Sequence, residues 1–140
     1  MTAIDPALLQ KYRETEYHVE GDGHSFVLEL DRPSAALAEI FRERRAASAA
    51  FISAFNPYSQ ATSAAENEAA NARLKSLLAD RGFQAIDAFG SDGTPDGWSE
   101  PSYLVPGITR EAAEALGRDF RQNAIVFAAA DAVPRLVLLR

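Results

Sequence analysis

The 140-residue sequence contains no cysteine, one methionine, one tryptophan and two histidines. Without cysteine there are no disulfides, no thiolate nucleophiles and no cysteine-ligated metal sites. The two imidazoles, His18 and His24, flank an Asp-Gly turn, and neither lies near a nucleophile elbow of the G-x-S-x-G type. Walker loops and G-x-G-x-x-G fingerprints are also missing. Apolar runs are short: "AIVFAAA" at 124–130 falls far below the roughly 18 residues that span a bilayer. The start, "MTAIDPALLQKYRE", has no basic stretch leading into an apolar one, so no signal peptide is expected. Basic residues are outnumbered 14 to 20, giving a net charge of −6. A polyanion is repelled by such a surface, and "RERR" at 42–45 reads as the wet face of a helix. These absences point to a cytoplasmic protein with no cofactor and no metal, and with neither nucleic acid nor membrane among its partners.

What remains is the composition of one soluble domain, 47% hydrophobic and 24% charged. Asp5 and Pro6 start a helix over 6–14, with aspartate at the N-cap and proline at the first helical position. "TEYHVEGDGHSFVLEL" reads as a hairpin turning at Asp22-Gly23, which pairs Tyr17 with Leu28 and Val19 with Phe26 on one face. That register sends His18 and His24 to opposite faces, so they do not share a metal. A helix is expected at 32–46, a strand at 49–55, and a capping box at Ser63 and Glu66 that opens a helix running to Arg81, with Gly82 as its stop. Strands follow at 83–90 and 102–107, separated by a loop at 91–101. Thr109 then caps a helix whose Ala112, Leu116 and Phe120 share a face, and 123–130 and 135–139 close as strands. The order α-ββ-α-β-α-β-β-α-β-β implies an α+β domain: one mixed, partly antiparallel sheet of six or seven strands packed with four helices.

The polar residues of interest begin with "FNPYSQATSAAEN" at 55–67. On the helix that follows, with about 100° per residue, Asn71 lies about 40° from Asn67, and Leu74 and Leu78 fall within about 20° of it. Both asparagines therefore sit in the apolar stripe. Unpaired buried amides cost roughly 1–3 kcal/mol, so these two are expected to bond the backbone of residues 55–60. One reading is that they clamp the loop; the other is that loop and amides line a pocket.

"FISAFNPYSQATSAAENEAANARLKSLL" followed by "GWSEPSYLVPGITREAAEALGRDFRQNAIVF" resembles a bacterial family of uncharacterised proteins, the domain-of-unknown-function family numbered 3293. The family's aromatic-Asn-Pro-x-Ser turn falls on Phe55-Asn56-Pro57-Tyr58-Ser59, and its Glu-Asn and later Asn on Glu66, Asn67 and Asn71. Its Trp falls on Trp98, its Glu-Pro-Ser-aromatic strand on Glu100 to Tyr103, and its Phe-x-Gln-x-Ala-Ile stretch on Phe120 to Ile125. The resemblance spans about residues 12–139 and implies no activity. Its residues coincide with the positions that packing alone explains least. If strand and helix ends gather at one edge of the sheet, Asn56, Tyr58, Asn67, Asn71, Glu100 and Gln122 form one cluster suited to a polar small molecule. The other reading is a structural or protein-interaction module in which the same cluster only orders loops. An open pocket beside Asn56 and Glu100 favours the first; a filled network with a large exposed apolar patch favours the second.

Overall fold

The turn chemistry read from the sequence appears where it was expected in the computed structural model, which describes residues 4–140; the first three residues of the stretch read for a leader lie outside it. The Asp5 carboxylate accepts from Ala7 N at 2.7 Å and opens helix α1, Pro6–Glu14. Strands β1, Glu16–Gly21, and β2, His24–Leu28, form the hairpin, with Tyr17 opposite Leu28 and Val19 opposite Phe26. Asp22 and Gly23 both have positive φ, 53° and 81°, as a two-residue turn between twisted strands requires. His18 stacks on Phe89 with ring centroids 4.5 Å apart, whereas His24 lies on the other face beside Phe26 and Glu43.

Three more helices start on hydroxyl caps. Ser34 accepts from Leu37 N, Ser63 from Glu66 N and Thr109 from Ala112 N, each at 3.1 Å. They open α2, Ala35–Arg44, α3, Ala64–Asp80, and α4, Arg110–Asp119. Helix α2 is shorter than the expected 32–46, because Ser34 caps it late and Arg45 turns left-handed at φ 53°. At the end of α3 the Gly82 N–H reaches Ala79 O and the Phe83 N–H reaches Leu78 O, the paired bonds of a Schellman stop. The buried face of α4 is Ala113, Leu116 and Gly117; Ala112 and Phe120 of the expected stripe are only half-buried.

Strands β3, Ala49–Ile52, β4, Ile86–Ser91, β5, Ser99–Pro106, β6, Ala124–Ala128, and β7, Arg135–Leu138, complete a seven-stranded sheet in the order β2-β1-β4-β5-β3-β6-β7. Strand β3 ends earlier than expected, because the Ser53 hydroxyl captures Phe55 N at 3.0 Å and starts the turn. Every neighbouring pair is antiparallel, beyond the partial antiparallel pairing expected. The reason lies in the crossings. Two antiparallel steps restore direction, so α3 joins β3 to β4, which run the same way with β5 between them. Likewise α4 joins β5 to β6, with β3 between.

Alternation along the central strands feeds two cores. Ala49 and Phe51 face α2, packing with Leu37, Ile40, Phe41, Leu104 and Val126. Ala50 and Ile52 face α3 and α4, packing with Leu74, Leu78, Leu116 and Val105. Helix α4 lies so close to the sheet that a Cβ on Gly117 would run into Leu139 and Ile125.

Candidate functional site

The loop after β3 is built from backbone that ordinary residues avoid. Asn56, Tyr58 and Ser59 have φ of 46°, 55° and 60° around a single 3₁₀ turn at Pro57–Ser59. Asparagine tolerates this region; tyrosine and serine do so at a cost of order 1 kcal/mol or more. Bonds from several elements hold the turn in place. Tyr58 N donates to Arg121 O at 2.6 Å, and Ser59 N to Asn56 O at 2.8 Å. The buried Asn67 amide accepts from Asn56 N at 2.9 Å and donates to Asn56 Oδ1 at 2.9 Å and Thr62 O at 3.3 Å. Asn71, also buried, accepts from Ala54 N at 3.4 Å, one residue upstream of the expected 55–60. Gln122 Nε2 donates to Phe55 O at 3.1 Å and to Phe120 O at 3.2 Å. The Ser59 hydroxyl bonds Tyr12 Oη and accepts from Asn123 Nδ2 at 3.1 Å.

Pairing of β3 with β5, Ile52 opposite Tyr103, brings this loop beside the start of β5. Glu100 lies within β5, opposite Gly90, rather than in the loop expected at 91–101; the strand begins at Ser99 because it pairs with β4 as far as Ser91. Glu100 alternates with Ser102 and Leu104, so its side chain falls on the α2 face of the sheet, at the end that α1 covers. Two adjoining cavities open there. The inner one, about 90 Å³, is lined by Tyr12, Tyr17, Phe51 and Ser53. The outer one, about 170 Å³, is lined by Leu8, Lys11, Phe55, Asn56 and Ser59. Trp98, Glu100 and Gln122 line both.

The electrostatics centre on Glu100. Burial pushes its carboxyl above the ordinary range; the Ser53 hydroxyl, the Asn56 amide and the Lys11 charge pull it part of the way back. Ser53 offers little as a donor, since its single proton goes to Pro101 O at 3.0 Å. Among the described residues no ion pair includes Glu100, although ion pairs are spread over the rest of the surface. Desolvation also holds the buried Tyr17 phenol well above its usual range, and it donates to Tyr12 O at 2.5 Å. Gln122 Oε1 accepts no bond from the described residues, and none of their fully buried polar side-chain atoms lacks a partner, so this oxygen is not fully enclosed, on a residue that lines both cavities.

Of the six residues singled out in the sequence, the structure brings Asn56, Glu100 and Gln122 to one cavity. Asn67 and Asn71 stand behind Asn56 and position the loop. Tyr58 turns away: its left-handed φ aims the ring outward, 39% exposed, where the Arg140 guanidinium lies 3.9 Å from its centroid. Sequence reasoning missed Lys11, Tyr12 and Ser53 as lining residues. The signal for α1 was present, since Leu8, Lys11 and Tyr12 share a face at spacings of three and four. A wider hollow of about 720 Å³ lies between α3 and α4, but its charged residues, Arg73, Asp80, Asp119 and Arg121, are all exposed.

Comparison with known proteins adds a family and no activity. The family model described as "Protein of unknown function (DUF3293)" matches residues 52–125. That span runs from the end of β3 to the second residue of β6, and so carries Asn56, Glu100 and Gln122 but not α1. No curated protein and no solved structure matches.

Proposed function

The chain belongs to the DUF3293 family of proteins of unknown function, and from the geometry of the Trp98–Glu100–Gln122 cavity we propose that it binds a polar small molecule there. The observation that carries the reading is a half-buried carboxyl with no ion pair among the described residues, lining a cavity together with an aromatic ring and an amide whose oxygen accepts no bond from those residues. Pockets with a few convergent polar groups in apolar walls are where small ligands bind. Glu100 meets this loop only through the Asn56 side chain and the Ser53 hydroxyl, and most of the loop's order comes from elsewhere. Asn67, Asn71, Asn123 and the Arg121 carbonyl already satisfy it, which separates the ligand group from the clamp. In this reading Asn56, Glu100 and Gln122 touch the ligand, while Asn67, Asn71 and Tyr58 fix the wall. An interaction module draws less support, because among the described residues the exposed large apolar side chains, Val27, Tyr58 and Leu138, sit on three different elements. The reading stops at binding, since one carboxyl with no partner acid or base does not define a reaction.

A thermal-shift screen of polar small molecules against the parent protein and Glu100→Gln tests the proposal. Compounds that raise the parent Tm and leave that of a folded Glu100→Gln unchanged support it. Equal shifts in both proteins, or failure of Glu100→Gln to fold, overturn it.

A further inference from the structure

The cavity already has a cation at its rim, and that cation is the protein's own. Lys11 Nζ lies 5.3 Å from the centroid of the Trp98 ring, and its charge acts on Glu100 across the outer cavity. The lysine is exposed, sits on α1, and makes no ion pair with Glu100. An indole face attracts cations through its ring quadrupole, and an ammonium shared loosely between ring and carboxylate is easily exchanged.

The free hydrogen-bonding capacity of the cavity points the same way. The Ser53, Ser102 and Tyr17 hydroxyls are spent on Pro101 O, Glu100 O and Tyr12 O. Ser59 is occupied by Tyr12 and Asn123. The Asn56 side-chain N–H is turned to the Glu100 carboxylate, and the indole N–H of Trp98 is a lone neutral donor; what is left over is mainly acceptor, the rest of the carboxylate and Gln122 Oε1, beside the ring of Trp98. An anion would meet the carboxylate with Lys11 as the one positive charge lining the cavity, and an apolar ligand would leave the carboxylate desolvated with the Asn56 amide as its main donor. A ligand rich in N–H donors and carrying positive charge satisfies all three groups.

Resting on the binding reading above, we propose that the ligand is an organic cation, an amine, amidine or guanidinium, whose head displaces Lys11 from between Trp98 and Glu100. The small volume suits a compact head group, and the lysine acts as a built-in competitor.

The test uses three probes of one shape and different charge: benzamidine, benzamide and benzoate. Trp98 is the sole tryptophan among four tyrosines, so fluorescence excited beyond the tyrosine band and the single indole N–H resonance report on Trp98. The expected result is that benzamidine perturbs the Trp98 signals of the full chain and that benzamide and benzoate bind at least about tenfold more weakly, a difference of about 1.4 kcal/mol. Lys11→Met, at an exposed position, should tighten benzamidine by removing the competitor, and Glu100→Gln should abolish its binding. Tighter binding of benzamide than of benzamidine, with Glu100 still required, overturns the cation and leaves the cavity reading standing. Weaker benzamidine binding in Lys11→Met also overturns it. Silence of the Trp98 signals to all three probes, in the parent and in Lys11→Met, overturns the cation, and the wider thermal-shift screen then decides the cavity.

Discussion

Asn67 shows how much one side chain can fix. Its amide meets the N–H and side-chain oxygen of Asn56 and the carbonyl of Thr62, holding a left-handed residue that would otherwise relax. Asn67→Leu is expected to cost about 1–3 kcal/mol in urea unfolding, because it strands those groups. Asn71→Leu is expected to cost less, since its one bond to Ala54 N is 3.4 Å long. Both asparagines were legible in the sequence, because helical period alone places them in the apolar stripe. The direction of Tyr58 was not, because nothing local dictates a left-handed tyrosine.

Glu100 belongs to the same scale and titrates against the usual trend. Its folded pKa is raised by burial above the unfolded value. In the window between the two, the native state holds the proton that the unfolded state has lost, so stability falls as pH rises through that window. Glu100→Gln should therefore match the parent at pH below both values and gain on it as pH rises above the ordinary carboxylate range. Urea unfolding of both proteins over a pH series measures the difference; a gap that runs the other way would show that the carboxylate is stabilised when charged.

Among the elements, α3 is defined by its ends. Ser63→Ala removes the acceptor of Glu66 N and should lower stability by about 1 kcal/mol, read by denaturation, with the Trp98 fluorescence response to benzamidine unchanged. Glu66 makes no return bond to Ser63 among the described residues, so the hydroxyl half of the expected box carries the cap. The hairpin was the most legible element, since turn residues and alternation both lie within a dozen positions and agree. Helix α1 was legible as a helix and not as a wall. It buries no residue of its own and is placed by distant partners, Ser59 and Trp98, that no local pattern reveals.

For the whole molecule, the cores predict a gradient of order. Strand β3 is buried throughout and bonded on both edges, by β5 and β6, so amides in these three strands should exchange with deuterium most slowly. The amides of α1 should exchange fastest among the helices. Slow exchange across α1 in the free protein would contradict this picture. The class of fold was legible, because paired strands without a helix between them demand antiparallel neighbours. The strand order was not, because α3 and α4 each skip a strand and the skipped partner is chosen by long-range packing.

The place of β3 also has a consequence in time. A chain leaves the ribosome from its N-terminus, and residues 49–52 emerge well before either neighbour, at 99–106 and 124–128, exists. A strand paired on both edges in the finished sheet is thus made early and paired late. Through that interval Phe51 and Ile52 lie in a strand with two open edges, the arrangement that other chains most readily join. Nascent chains stalled before residue 99 should therefore be the form of this protein most dependent on chaperones.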